Sequence, residues 1–122
     1  MKKAAFVFLV ISVLFVACST GPNLYGSLTI SNSPAGHSFY AFVYNSSVLP
    51  NTYSEYSSMT TSSMAVGSGT SPISLAWPSG TTSGNYLVRL TSGSTTKIVI
   101  ANFNGKGEAT VNWGMMIDAP TR

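Results

Sequence analysis

The sequence predicts an all-β domain, a single seven-stranded antiparallel β-sandwich over residues 24–122, on three observations. Apolar and polar residues alternate at period two over short runs. Clusters of Gly, Pro, Asn and Ser separate those runs, as they do where strands end in turns. Beyond position 17 no window keeps helical periodicity for three turns. Ser and Thr supply 32 of the 105 residues from 18 onward, and Gln is absent. That length suits one small domain, and so many short strands fit two packed sheets better than a helix-bearing architecture.

Residues 1–17 stand apart from this domain. Met1-Lys2-Lys3 is a charged start, and Ala4 to Ala17, interrupted only by Ser12, is an apolar run of 14 residues. The pattern is that of a cleaved N-terminal signal helix, and the run is shorter than the ~20 residues that span a bilayer. Without it the formal charge of +3 falls to +1, because residues 18–122 carry Arg89, Lys97, Lys106 and Arg122 against Glu55, Glu108 and Asp118. So few cations make no basic stripe, which excludes a nucleic-acid surface.

Phe15-Val16-Ala17-Cys18 resembles the lipobox of bacterial lipoproteins, with Phe15 standing where leucine is commonest in that family. The resemblance implies that Cys18 is diacylated on sulfur, acylated on its amine and made the first residue of the mature chain. Cys18 is also the single cysteine, so an exported chain of this kind forms no internal disulfide. Stable membrane anchoring takes two or more acyl chains, which a fully modified Cys18 provides. By the same resemblance Ser19, being other than Asp, favours the outer membrane. Cys18 and the following Ser19–Asn23 make a tether, residues 18–23, whose extended reach of ~3.5 Å per residue keeps the domain within about 20 Å of the lipid.

The expected strands are Ser27–Asn32, Ser38–Asn45, Met64–Gly67, Ile73–Trp77, Asn85–Ser92, Thr96–Asn102 and Glu108–Trp113. In the first, Leu28 and Ile30 oppose Thr29 and Ser31. Tyr86, Val88 and Leu90 oppose Leu87 and Arg89; Ala109, Val111 and Trp113 oppose Thr110 and Asn112. Two hairpins are marked, by Gly93-Ser94 and by Asn104-Gly105-Lys106-Gly107, the second because Asn-Gly tolerates positive φ. Residues 85–113 should then form a three-stranded meander. Strand Ser38–Asn45 has apolar residues on both faces: Phe39, Ala41 and Val43 on one, Tyr40, Phe42 and Tyr44 on the other. Either it is covered on both sides, or an aromatic stripe faces outward.

Residues 45–72 hold 13 Ser/Thr in 28 positions. Within them Thr52-Tyr53-Ser54-Glu55 fits a capping box, which puts Tyr53 and Tyr56 on one helical face. The segment reads as a helical turn or a mobile loop.

Catalytic residue types are sparse. His37, Glu55, Glu108 and Asp118 are spread over 82 positions and show no chelating spacing, so no metal or other cofactor is expected. A Ser–His–Asp hydrolase would have to use His37 and Asp118, and no Gly-x-Ser-x-Gly elbow accompanies them. Pro34-Ala35-Gly36-His37 reads as a turn, which makes His37 a surface residue. Gly67-Ser68-Gly69-Thr70 lacks the lysine and helix of a phosphate loop and reads as a flexible turn. Trp77, Tyr86 and Trp113 are assigned to the core.

Gly26-Ser-Leu-Thr-Ile-Ser-Asn-Ser-Pro-Ala-Gly36, leading into an aromatic strand, resembles the immunoglobulin-like or transthyretin-like sandwiches of small bacterial surface lipoproteins. The paired cysteines of antibody domains are missing, so no antibody-type site is implied. The expected function is a non-enzymatic binding or interaction module, anchored to the membrane through Cys18. Its contact surface is Tyr40, Phe42, Tyr44, Tyr53 and Tyr56, because exposed rings give contact area at low entropy cost to a protein or carbohydrate partner. The alternative is a structural envelope or assembly subunit that pairs through sheet edges. A hydrolase built on His37 ranks third.

Overall fold

A computed structural model describes residues 24–59, 63–78, 80–81 and 83–122. The expected signal segment and tether, with Cys18, lie outside the described residues. Among those described, no helix is long and apolar enough to cross a membrane.

The chain is mostly β, with eight strands among the described residues: β1 (Leu24–Ser31), β2 (Phe39–Tyr44), β3 (Ser63–Gly69), β4 (Ile73–Trp77), β5 (Gly84–Ser92), β6 (Thr95–Phe103), β7 (Glu108–Asn112) and β8 (Ile117–Asp118). A helix, α1 (Tyr53–Met59), lies between β2 and β3, and a 3-10 turn covers Trp113–Met115. The strands form a three-stranded sheet ordered β4-β1-β7 and a five-stranded sheet ordered β3-β2-β5-β6-β8.

Inward residues of both sheets share one core. Leu28 and Ile30 of β1, Ile73, Leu75 and Trp77 of β4, and Ala109 and Val111 of β7 meet Phe39, Ala41 and Val43 of β2, Val88 and Leu90 of β5, and Phe103 of β6. The alternation read from the sequence produces this directly, since one face of each strand is apolar. Trp77 is buried against Phe103, ring centroids 5.0 Å apart. Tyr86 and Trp113 are partly buried against the same core, Trp113 edge-on to Phe39 at 5.1 Å.

Three expectations about connectivity are corrected. The sheet is not antiparallel throughout, because β1 pairs antiparallel with β4 but parallel with β7, with Ser27 opposite Glu108 and Ser31 opposite Asn112. An eighth strand of two residues, too short to alternate visibly, pairs Lys97 with Asp118 and Ile98 with Ile117. And residues 85–113 are no meander: β5 and β6 pair as a hairpin, whereas β7 crosses to the other sheet. The Gly93-Ser94 turn is as expected, with Gly93 at φ +60° in the first of two turn positions.

The Asn104–Gly107 turn shows why β7 leaves. Asn104 Oδ1 accepts from the amides of Lys106 (2.9 Å) and Glu108 (3.1 Å), and Gly107, not Asn104 or Gly105, takes the positive φ, +76°. Gly107 O then accepts from Ser27 N at 3.1 Å, drawing the turn onto β1. That approach needs a bare backbone at Gly26, where a Cβ would collide with the Trp77 indole and Gly107 O. Gly67 and Gly69 are likewise not a loose turn. They belong to β3, and a Cβ on Gly67 would strike Ser74 O of β4.

Candidate functional site

The outer face of the five-stranded sheet carries the predicted aromatic surface. Its register places Val66, Phe42, Arg89 and Ile98 side by side on successive strands, with Tyr40 one step to one side of Phe42 and Tyr44 one step to the other. Helix α1 lies over the Tyr44 side, where Tyr44, Leu87 and Ile98 form a second small core with Leu49, Tyr56 and Met59.

The local sequence explains why a helix begins there. Thr52 Oγ1 accepts from Glu55 N at 3.2 Å, as the capping box predicts. The reciprocal bond reaches one residue further back than expected, with Glu55 Oε2 accepting from Asn51 N at 2.9 Å. The capped turn sets the Tyr53 and Tyr56 rings 6.4 Å apart at an interplanar angle of 54°.

Beneath the helix, Arg89 organises three of the five predicted rings. Its guanidinium stacks 4.2 Å from the Phe42 centroid, lies 5.8 Å from that of Tyr44, and donates from Nη1 to Tyr56 Oη at 3.3 Å. Arg89 Nε and Tyr44 Oη are both buried without a hydrogen-bond partner. Burial pushes the Tyr44 phenol above its usual pKa; the Arg89 charge opposes the shift and Tyr56 adds to it.

The five predicted residues therefore separate. Tyr44 is 1% exposed and offers a partner nothing, a correction whose cause is the covering helix. Phe42 and Tyr56 are partly buried; Tyr40 and Tyr53 are 63% and 38% exposed. Tyr53 and Tyr56 line an open cleft of about 550 Å³, a volume within the range of small-molecule sites. The β5–β6 turn adds Ser94, the start of β6 adds Thr95 and Thr96, and the C-terminal segment adds Asp118 and Arg122. β8 holds that segment in place, and Ala119 N donates to Thr96 O at 3.1 Å. Arg122 lies 5.8 Å from the Tyr53 ring.

Sequence reading missed Asp118, Arg122 and the two threonines, because no motif links them. A two-residue strand brings them beside α1 from distant positions. His37, by contrast, is an exposed turn residue as expected, with Nδ1 3.1 Å from Ser92 Oγ. Among the described residues no three His, Cys, Asp or Glu converge as a metal site would require.

No protein-family model, curated protein or solved structure matches this chain.

Proposed function

We propose that the chain is a bacterial envelope lipoprotein, anchored through Cys18, whose β domain is a non-enzymatic binding module of immunoglobulin-like or transthyretin-like type. The address rests on the sequence of residues 1–19, above all on a lone cysteine directly after an apolar signal run. Two sheets around one core support the domain type. The observation that carries the binding reading is the open cleft at Tyr53 and Tyr56, where rings fixed by a capped helix meet polar groups from two other segments. Tyr40 is an outlying ring of the same sheet face.

Less supports the alternative of pairing through sheet edges. Edge strand β3 is crowded by β4 at Gly67, and such crowding blunts an edge.

The test has two parts. Cys18→Ala should abolish labelling by radioactive fatty acid and release the protein from membranes; unchanged membrane association refutes the anchor. In cells, a photo-reactive phenylalanine in place of Tyr53 should cross-link to a partner molecule, whereas cross-links only to copies of the same chain would favour the assembly reading.

A further inference from the structure

Resting on that reading of the domain as a binding module, we propose that the Tyr53–Tyr56 cleft binds a neutral glycan, one pyranose ring stacked on Tyr53 and its hydroxyls held by Asp118, Arg122 and the Thr95–Thr96 hydroxyls.

The charge of the cleft argues for a neutral ligand. Asp118 and Arg122 are its charged side chains, one of each sign. An anionic ligand would meet the Asp118 carboxylate and a cationic one the Arg122 guanidinium, and unlike neutral molecules each would face a like charge. No other side chain in the lining neutralises a phosphate or an ammonium.

The polar groups are matched to hydroxyls. A carboxylate only accepts, a guanidinium only donates, and a threonine hydroxyl does both. A sugar hydroxyl donates and accepts at once, so it uses each of these in turn. Asp118 is exposed, and its carboxylate makes no hydrogen bond or ion pair among the described residues, so its oxygens are free for a ligand. Thr96 Oγ1 is already oriented, 3.1 Å from Thr91 Oγ1.

The rings supply the apolar half. One face of a pyranose is a set of C–H bonds, which suits the negative face of an aromatic ring. Tyr53 keeps 38% of its surface, while Tyr56 is held in place by Arg89. Because the two rings are inclined at 54°, they make a wedge and not a flat platform. A wedge grips a single soluble sugar chain; a flat crystalline polysaccharide would need coplanar rings. The few aliphatic groups in the lining, Ala119 and Pro120, leave no deep greasy pocket for an acyl chain.

The experiment uses the full-length chain in lipid nanodiscs and saturation-transfer difference NMR. The probes are methyl β-glucopyranoside, N-acetylglucosamine, maltotriose and chitotriose, with glucose 6-phosphate as the charged comparison. At least one neutral sugar should receive saturation, strongest on the C–H protons of one ring face. Tyr53→Ala and Asp118→Ala should each weaken it about tenfold, the equivalent of ~1.4 kcal/mol. Tyr53→Trp should retain it, and Tyr25→Ala, on the exposed face of the other sheet, should leave it unchanged. The glycan assignment is overturned if no neutral sugar binds at high millimolar concentration, if binding survives both cleft variants, or if glucose 6-phosphate binds more tightly than the neutral sugars. Failure of the sugars with cross-linking at position 53 to a protein partner removes the glycan and leaves the binding module standing. Failure of both removes the two together.

Discussion

At the scale of single residues, the outer face of the five-stranded sheet is where burial and polarity conflict. Tyr44 has a fully covered ring and a hydroxyl with no partner, and it sits near an Arg89 whose Nε is equally orphaned. A buried hydroxyl that has lost water and gained no bond costs stability. Tyr44→Phe should therefore stabilise the protein by about 1 kcal/mol, read from urea unfolding at neutral pH. The same residue sets an alkaline limit. Its folded pKa lies above the ordinary 10.0, so the folded state holds the phenol proton more tightly than the unfolded state does. The associated stability is fully present below pH 10.0 and is lost as the pH rises through the folded pKa. In Tyr44→Phe the loss of stability above that point should be shallower; an identical alkaline slope would show that Tyr44 does not supply it. Arg89 avoids a comparable penalty in part by stacking on Phe42, which a guanidinium does better than an ammonium.

At the scale of elements, α1 depends on its cap and on what it covers. Seven residues are too few for a stable isolated helix, so its persistence comes from packing over Tyr44, Leu87 and Ile98 and from Thr52 at its start. Thr52→Ala should cost about 1 kcal/mol and speed amide exchange at Glu55 more than in β5 or β6. Equal acceleration everywhere would mean that the helix melts only with the whole domain. The cap was legible because a capping box is a short-range pattern, and the strands were legible for the same reason: alternation locates β1 to β7 within three residues at either end. Element β8 was not legible. Two residues cannot display a period, and Ile117–Asp118 is a strand only because β6 offers it a free edge at Lys97 and Ile98.

At the scale of the whole molecule, the two sheets are one cooperative unit because they share one core. Leu28 sits in the central strand of the small sheet, fully buried, in the same cluster as Phe39, Val88 and Phe103 of the large one. Leu28→Ala should destabilise the protein by roughly 2–5 kcal/mol. Tryptophan fluorescence and far-ultraviolet circular dichroism should still report coincident transitions, since the cluster that both sheets share is far larger than the one beneath α1. Separate transitions would show that the five-stranded sheet, with α1 on its back, folds alone. The same architecture assembles the cleft: α1, the β5–β6 turn and the chain after β8 meet only when β8 closes on β6.

The sequence by itself determined the all-β character, the approximate bounds of seven strands, the inward residues of β1 and β7, the Gly93-Ser94 turn and the capping threonine. All of these follow from short-range rules: side chains alternate across a strand, glycine takes positive φ, and a threonine hydroxyl caps the amide three residues on. Tertiary structure alone decided that β7 runs parallel to β1 and leaves β6, that α1 buries Tyr44 while Tyr40 stays bare, and that Asp118 and Arg122 stand beside Tyr53. Those outcomes turn on pairings between distant residues. Period-two alternation says which face of a strand is buried, but not which strand lies beside it or what lies over its other face.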